Sequence, residues 1–176
     1  ACGAANRSGV QPLRRRARLL LDEARAAVAA ALNAKPNEIY CTGGGTESDN
    51  WAVRGSAYAL KAKGNHIITS AIEHHAILHT CQQLEREGFK VTYLPVDEYG
   101  QVSAADVEKA ITPETTLLSL MPANNDIGTI QPTAEIGPLA RAHGVRFPTH
   151  AVQAVGPNPL DVKAMTLALP SPPRTN

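Results

Sequence analysis

The chain is 176 residues long, with 43% hydrophobic residues and a formal net charge of +1. That length suits one domain with a substantial core, the near-neutral charge gives no reason to expect a nucleic-acid partner, and no apolar run approaches the ~20 residues of a membrane span. Cys2, Cys41 and Cys81 are too few and too scattered for a disulfide framework, and with no signal-peptide pattern the expected location is the cytoplasm.

The first predicted element is an amphipathic helix from about Leu13 to Leu32. Its basic cluster, Arg14, Arg15, Arg16 and Arg18, reads as a solvated helix face rather than a polyanion site, because Leu19, Leu20, Leu21 and the alanines form the other face. A strand is expected from Glu38 to Cys41, and small and apolar residues recur at helical spacing from Thr46 through Trp51, Val53, Ala57 and Leu60. Next come a strand from His66 to Ser70, a helix from about Ala76 to Glu87, a strand from Lys90 to Pro95 and a turn at Glu98-Tyr99-Gly100. A short helix near Ala104 to Ala110, an apolar strand from Thr115 to Met121, a helix near Glu135 to His143 and a strand from Val145 to Thr149 complete the pattern. This alternation calls for an α/β fold, a mostly parallel sheet with helices on both faces. Residues 1–165 read as one folded unit, and 166–176 as a proline-rich tail that neither a helix nor a central strand tolerates.

Ligands of such sheets bind beyond the carboxyl ends of the strands, and the chemically unusual loops all follow predicted strands. Gly43-Gly44-Gly45-Thr46 joins the first strand to a helix, so backbone N–H groups and the positive end of the helix face whatever anion sits there. A plain helix cap on a strand-to-helix turn explains the same residues. Glu73-His74-His75 fits three readings: an imidazole stacked on a planar ligand, a metal site using His75 and His79 with Cys81 nearby, or exposed helix-start histidines. Asn124-Asn125-Asp126 follows the most apolar strand and presents adjacent amides, or forms a simple turn. His150 and Gln153 lie just past the last strand and are expected to face the same crevice, while Cys41, at a strand end, is expected to be packed rather than reactive.

Taken together, Gly-Gly-Thr46-Glu-Ser-Asp-Asn, Ile-Glu-His74-His-Ala-Ile-Leu, Ala-Asn-Asn125-Asp-Ile-Gly-Thr-Ile-Gln-Pro and Thr-His150-Ala-Val-Gln153-Ala-Val-Gly resemble, in order and spacing, the cofactor-binding motifs of the cysteine desulfurases. These are pyridoxal-phosphate enzymes of the class V aminotransferase group. The resemblance runs from about Asn6 to Met165 and implies the central part of the fold-type-I large domain. It implies that Gly45 and Thr46 hold the cofactor phosphate and that His74 stacks on the ring and assists proton transfer. Asn125 would reach the ring 3-oxygen, and Gln153 the ring substituents. The implied reaction converts L-cysteine to L-alanine and passes the sulfur on as a persulfide, for iron–sulfur cluster assembly or tRNA thiolation. The implied partners are a second subunit and a sulfur-acceptor or scaffold protein.

The chain also departs from the family pattern. His150 stands where the family has the aspartate that keeps the ring nitrogen protonated, which removes a charge-assisted bond of about 1.5–3 kcal/mol. Gln11 and Arg14 replace a histidine and a glycine, and Pro148 removes a backbone donor from a predicted internal strand. The position of the Schiff-base lysine falls by counting on Asn176, and neither the sulfur-accepting cysteine loop nor the small C-terminal domain is represented. The expectation is a family member truncated at both ends, with a tail that reads as a shifted frame or a decayed gene, and without turnover as written. The alternatives are another class V enzyme, a lyase or aminotransferase, and a non-catalytic remnant.

Overall fold

The computed structural model describes residues 12–124 and 127–148. The first helix, α1 (Pro12–Ala31), is followed by a 3-10 turn (Pro36–Glu38) and then α2 (Gly45–Leu60). The alternating core comprises β1 (His66–Ser70), α3 (His75–Arg86), β2 (Lys90–Leu94), α4 (Ala104–Ala110), β3 (Thr115–Ser119) and α5 (Thr133–Ala142).

The three strands pair in the order β2-β1-β3, all parallel. Successive side chains on a strand point to opposite faces, and the core divides accordingly. Ile67 and Leu117 pack with Val53 and Ala57 of α2 and with Ile77, Cys81 and Leu84 of α3. Ile68 and Leu118 pack with Val107 of α4 and with Ile136 and Ala140 of α5. Every residue of β1 and β3 is buried, as a parallel sheet covered by helices on both faces requires.

Two predicted strands take a different form. No strand forms over Glu38–Cys41: Pro36 starts a 3-10 turn, Ile39 continues in extended backbone, and no strand among the described residues is alongside to pair with it. The predicted strand from Val145 reduces, among the described residues, to a parallel bridge between Arg146 and Leu117, held by Leu118 N–H to the Arg146 carbonyl (2.8 Å) and Arg146 N–H to the Thr116 carbonyl (3.0 Å). Pro148, without an N–H, stands where such a ladder would continue. The leucine face of α1 is not covered by the described residues either, with Leu19 and Leu20 more than half exposed. Its contacts are with the segment that follows, through Arg25 Nε to the Ile39 carbonyl (3.2 Å). None of the helices over the described residues is long and apolar enough to cross a membrane.

Two features of this frame position the site. β1 lies between β2 and β3, so the chain leaves it to one side and later returns on the other, opening a crevice beyond the carboxyl ends of β1 and β3. In addition, α2 and α3 run parallel and in register. Asn50 and Thr80, each in the second turn of its helix, are hydrogen-bonded, and near the far ends Arg54 Nη2 and the Tyr58 hydroxyl reach the Glu87 carboxylate. Both helices therefore begin at the same edge of the molecule.

Candidate functional site

The glycine loop enters α2 directly. Gly44 is the N-cap residue, with φ 172° and ψ 174°, and the helix starts without a side-chain cap. Its first N–H groups have no carbonyl one turn upstream to receive them. The loop is shaped by its own side chains on the other side: Gly43 N–H donates to Glu47 Oε2 (2.6 Å), the Thr42 hydroxyl donates to the Gly44 carbonyl (3.1 Å), and Thr42 and Ser48 share a hydroxyl contact (2.6 Å). Gly45 and Thr46 are exposed, and a Cβ built on Gly44 or Gly45 meets nothing within 4 Å. Open space over uncapped N–H groups beside an exposed hydroxyl fits a phosphate group.

His74 is the N-cap of α3. Its Nδ1 accepts from Ala76 N–H (3.1 Å), and the residue is exposed at the crevice edge. Because Nδ1 is an acceptor there, the neutral ring carries its proton on Nε2. The capping role and the expected ring-stacking role thus use different parts of one side chain. Asn50 ties this residue's helix to the glycine loop, since its Nδ2 donates to the Thr46 carbonyl (2.8 Å) while its Oδ1 accepts from the Thr80 hydroxyl. The structure brings Gly45, Thr46 and His74 to one edge through α2 and α3.

The crevice floor is built from the loops after β1 and β3. Asn124, buried, donates from Nδ2 to the Ile72 carbonyl (3.1 Å), and its Oδ1 accepts from Ile127 N–H (3.3 Å). Of the two adjacent amides, this one holds the loop together. Gln131 does similar work from the other end of the loop, donating to the Gly100 carbonyl (2.8 Å) and accepting from Val102 N–H (2.8 Å). Asn125, His150 and Gln153 lie outside the described residues, as do Cys2 and the expected boundary at 165.

Cys41 is exposed, contrary to the expectation that it is packed, because the backbone around it pairs with no strand. It lines an open cleft of about 460 Å³ with Arg25, Ile39 and the exposed aromatics Tyr40 and Trp51. Cys81 is its opposite: burial pushes its thiol up to about 12, with the Glu73 and Glu85 carboxylates adding to the effect. It packs in the core instead of joining His75 and His79, and among the described residues no three metal-ligating side chains gather.

Sequence reasoning passed over Glu73, which stands beside His74 but is 3% exposed. Its Oε1 accepts from Met121 N–H (2.7 Å) and from the Ser70 hydroxyl (3.2 Å). No periodicity marks such a residue; the only signal is a carboxylate three residues after a strand whose every position is apolar or hydroxylated apart from its first.

The class-V aminotransferase family model matches residues 2–169. Cysteine desulfurase IscS of Clostridium botulinum (strain Hall) is 62% identical over 146 residues, covering 83% of this chain and 37% of the relative. Cysteine desulfurase IscS of Methanosarcina thermophila is 53% identical over 164 residues, covering 93% of this chain and 41% of the relative. Among solved structures, SspA in complex with cysteine superposes with a TM-score of 0.86 at 40% identity, covering 93% of this chain and 47% of that one. The chain thus spans about two fifths of the length of the curated relatives it matches. With the family model matched over nearly the whole chain and the fold shared with the solved neighbour, the chain belongs to the class-V aminotransferases, and its relatives there are cysteine desulfurases.

Proposed function

We propose that this chain forms the pyridoxal-phosphate-binding core of a cysteine desulfurase. The observation that carries the reading is the in-register pairing of α2 and α3, which puts an uncapped glycine-rich helix start and an exposed imidazole at one edge of the crevice. Gly45 N–H and the Thr46 hydroxyl hold the phosphate, with the positive end of α2 behind them. His74 lays its ring against the cofactor ring and handles a proton at Nε2, the nitrogen that its cap on Ala76 leaves available. Asn125 and Gln153 bond the ring substituents as neutral amides, which adds no charge next to the ring oxygen. When bound, pyridoxal phosphate supplies an electron sink for the bonds at the amino-acid Cα.

The substrate is L-cysteine, the products are L-alanine and a sulfur atom handed on as a persulfide, and the recipient is a sulfur-acceptor or scaffold protein. The working form is a homodimer in the cytoplasm, and the sulfur serves iron–sulfur cluster assembly or tRNA thiolation. The polypeptide of this sequence binds the cofactor but does not turn over, because the imidazole of His150, where the family has an aspartate, supplies no negative charge to the ring nitrogen.

Adding pyridoxal phosphate to the 176-residue chain tests the binding claim: the melting temperature rises with cofactor concentration. Absence of any rise overturns it. Adding L-cysteine tests the second claim, and alanine or sulfide released above a cofactor-only blank refutes it.

A further inference from the structure

We infer that Glu73 is a positioning residue for the ring side of the crevice. Its buried carboxylate latches the loop that carries His74 to the loop that leaves β3. The inference rests on the pyridoxal-phosphate reading for its ligand, but its geometry is independent of any ligand.

The two loops are braced reciprocally. Going one way, Met121 N–H, just past β3, donates to Glu73 Oε1 at 2.7 Å; going the other, Asn124 Nδ2 donates to the Ile72 carbonyl at 3.1 Å. The Ser70 hydroxyl holds the same Oε1 from the end of β1, at 3.2 Å. Glu73 is therefore fixed on both sides of the crevice floor, and His74 is the next residue. A buried carboxylate that receives a backbone N–H from another loop is a short charge-assisted tie. It restrains the backbone leading into α3, hence the direction from which His74 reaches Ala76 N–H with one nitrogen and presents the other outward. The phosphate end of the site does not depend on it, because the glycine loop is shaped by Thr42, Glu47 and Ser48 and is tied to α3 through Asn50 and Thr80. Loss of the latch therefore disturbs ring binding and spares phosphate binding.

The test compares Glu73→Ala with the unchanged chain, using pyridoxal phosphate and inorganic phosphate as separate probes in equilibrium dialysis. Pyridoxal phosphate is expected to bind about tenfold more weakly to Glu73→Ala, the size of one buried hydrogen bond lost, while inorganic phosphate binds both proteins alike. Equal weakening for both probes means a general structural role and overturns the inference, as does unchanged pyridoxal-phosphate affinity. Amide hydrogen exchange in the ligand-free proteins provides a second readout. The Met121 and Ala76 amides should exchange about tenfold faster in Glu73→Ala, while those of Ile68 and Leu118 keep their protection. An unchanged Ala76 rate overturns the inference even where the unchanged chain binds no cofactor, a result that would sink the pyridoxal-phosphate reading separately. If Glu73→Ala does not fold, Glu73→Gln and Glu73→Asp carry the same comparison. The glutamine keeps an accepting oxygen at full reach and retains both readouts, whereas the aspartate, one methylene short of Met121 N–H, loses them; identical behaviour of the two refutes the latch.

Discussion

Gly64→Ala tests whether the sheet that carries the site depends on one close backbone approach. A Cβ at this position would lie 2.2 Å from the Glu114 carbonyl oxygen and 2.7 Å from its carbon. Glu114 is backbone just before β3, so relief requires the entry to β3 to move away by about 1 Å, past normal contact distance. The same carbonyl accepts His66 N–H at 3.0 Å, the first bond between β1 and β3. That bond stretches out of range, at a loss of about 1 kcal/mol, and overpacking adds about 1–3 kcal/mol. For a chain of this size each kcal/mol lowers the melting temperature by about 2–4 °C, so a fall of about 5–15 °C is expected. Thermal melts followed by circular dichroism measure it, with two alanine substitutions as internal standards. Gly88 has φ +91° and open space around it, so Gly88→Ala costs left-handed strain alone, about 1–2 kcal/mol. Gly44 is extended and unobstructed, so Gly44→Ala loses only glycine's advantage over alanine as an N-cap, under about 1 kcal/mol. If Gly64→Ala melts no lower than Gly88→Ala, the close approach does not govern the pairing of β1 with β3.

Three further outcomes follow from the same geometry. His66 is buried between the Thr92 and Thr115 hydroxyls (2.8 and 2.6 Å), and burial, with Lys90 adding and Glu114 opposing, holds its pKa below the ordinary histidine value. The folded state thus favours the neutral ring, its contribution is complete above about pH 6.5, and it declines as pH falls through the depressed folded value; urea unfolding at pH 7.5 and 5 should show this slope, and a His66→Gln chain with the same slope would refute the assignment. Among the described cysteines, a thiol reagent should modify Cys41 in the native protein and Cys81 only on unfolding, read by mass spectrometry, and native labelling of Cys81 would contradict its place in the core. His74→Asn keeps a good helix cap without the ring, so it should melt like the unchanged chain yet bind pyridoxal phosphate more weakly, whereas His74→Ala also loses about 1 kcal/mol of cap stability; equal melting of the two variants would remove the capping role.

The sequence was most legible where a single physical rule determines the outcome. β1 forms over His66–Ser70 and α4 over Ala104–Ala110 as read, because a buried parallel strand must be a short apolar run and a helix after Ser103 has its cap in the text. The expected strand at Glu38–Cys41 failed because β propensity describes a surface that needs a neighbour, and the described residues offer none. The exposed leucine face of α1 shows a related limit: periodicity shows that a helix has an apolar side, but not that something covers it. The glycine loop and His74 stand out in the sequence by residue type and spacing, while the bonds of Glu73 and Asn124 do not, because they reach residues about fifty positions away.

The two halves of the proposed site are held by different means, and this affects what each tolerates. The phosphate end depends on a helix start, on hydroxyl and carboxylate contacts within a few residues, and on the Asn50–Thr80 link between adjacent helices, all of which survive changes at the sheet edges. The ring end depends on long-range ties between loops that leave different strands, so it depends on the spacing of β1 and β3. That spacing is set partly at the opposite end of the sheet, where the register shifts between His66 and Ile67 and Gly64 passes close to Glu114. A substitution at that end is therefore expected to reach His74 through the strands before it reaches Thr46, and pyridoxal phosphate should lose affinity for Gly64→Ala under conditions where inorganic phosphate does not. Equal losses for the two ligands would mean that the glycine loop and the histidine share one support, and the separation between a locally built phosphate cradle and a sheet-dependent ring side would not hold.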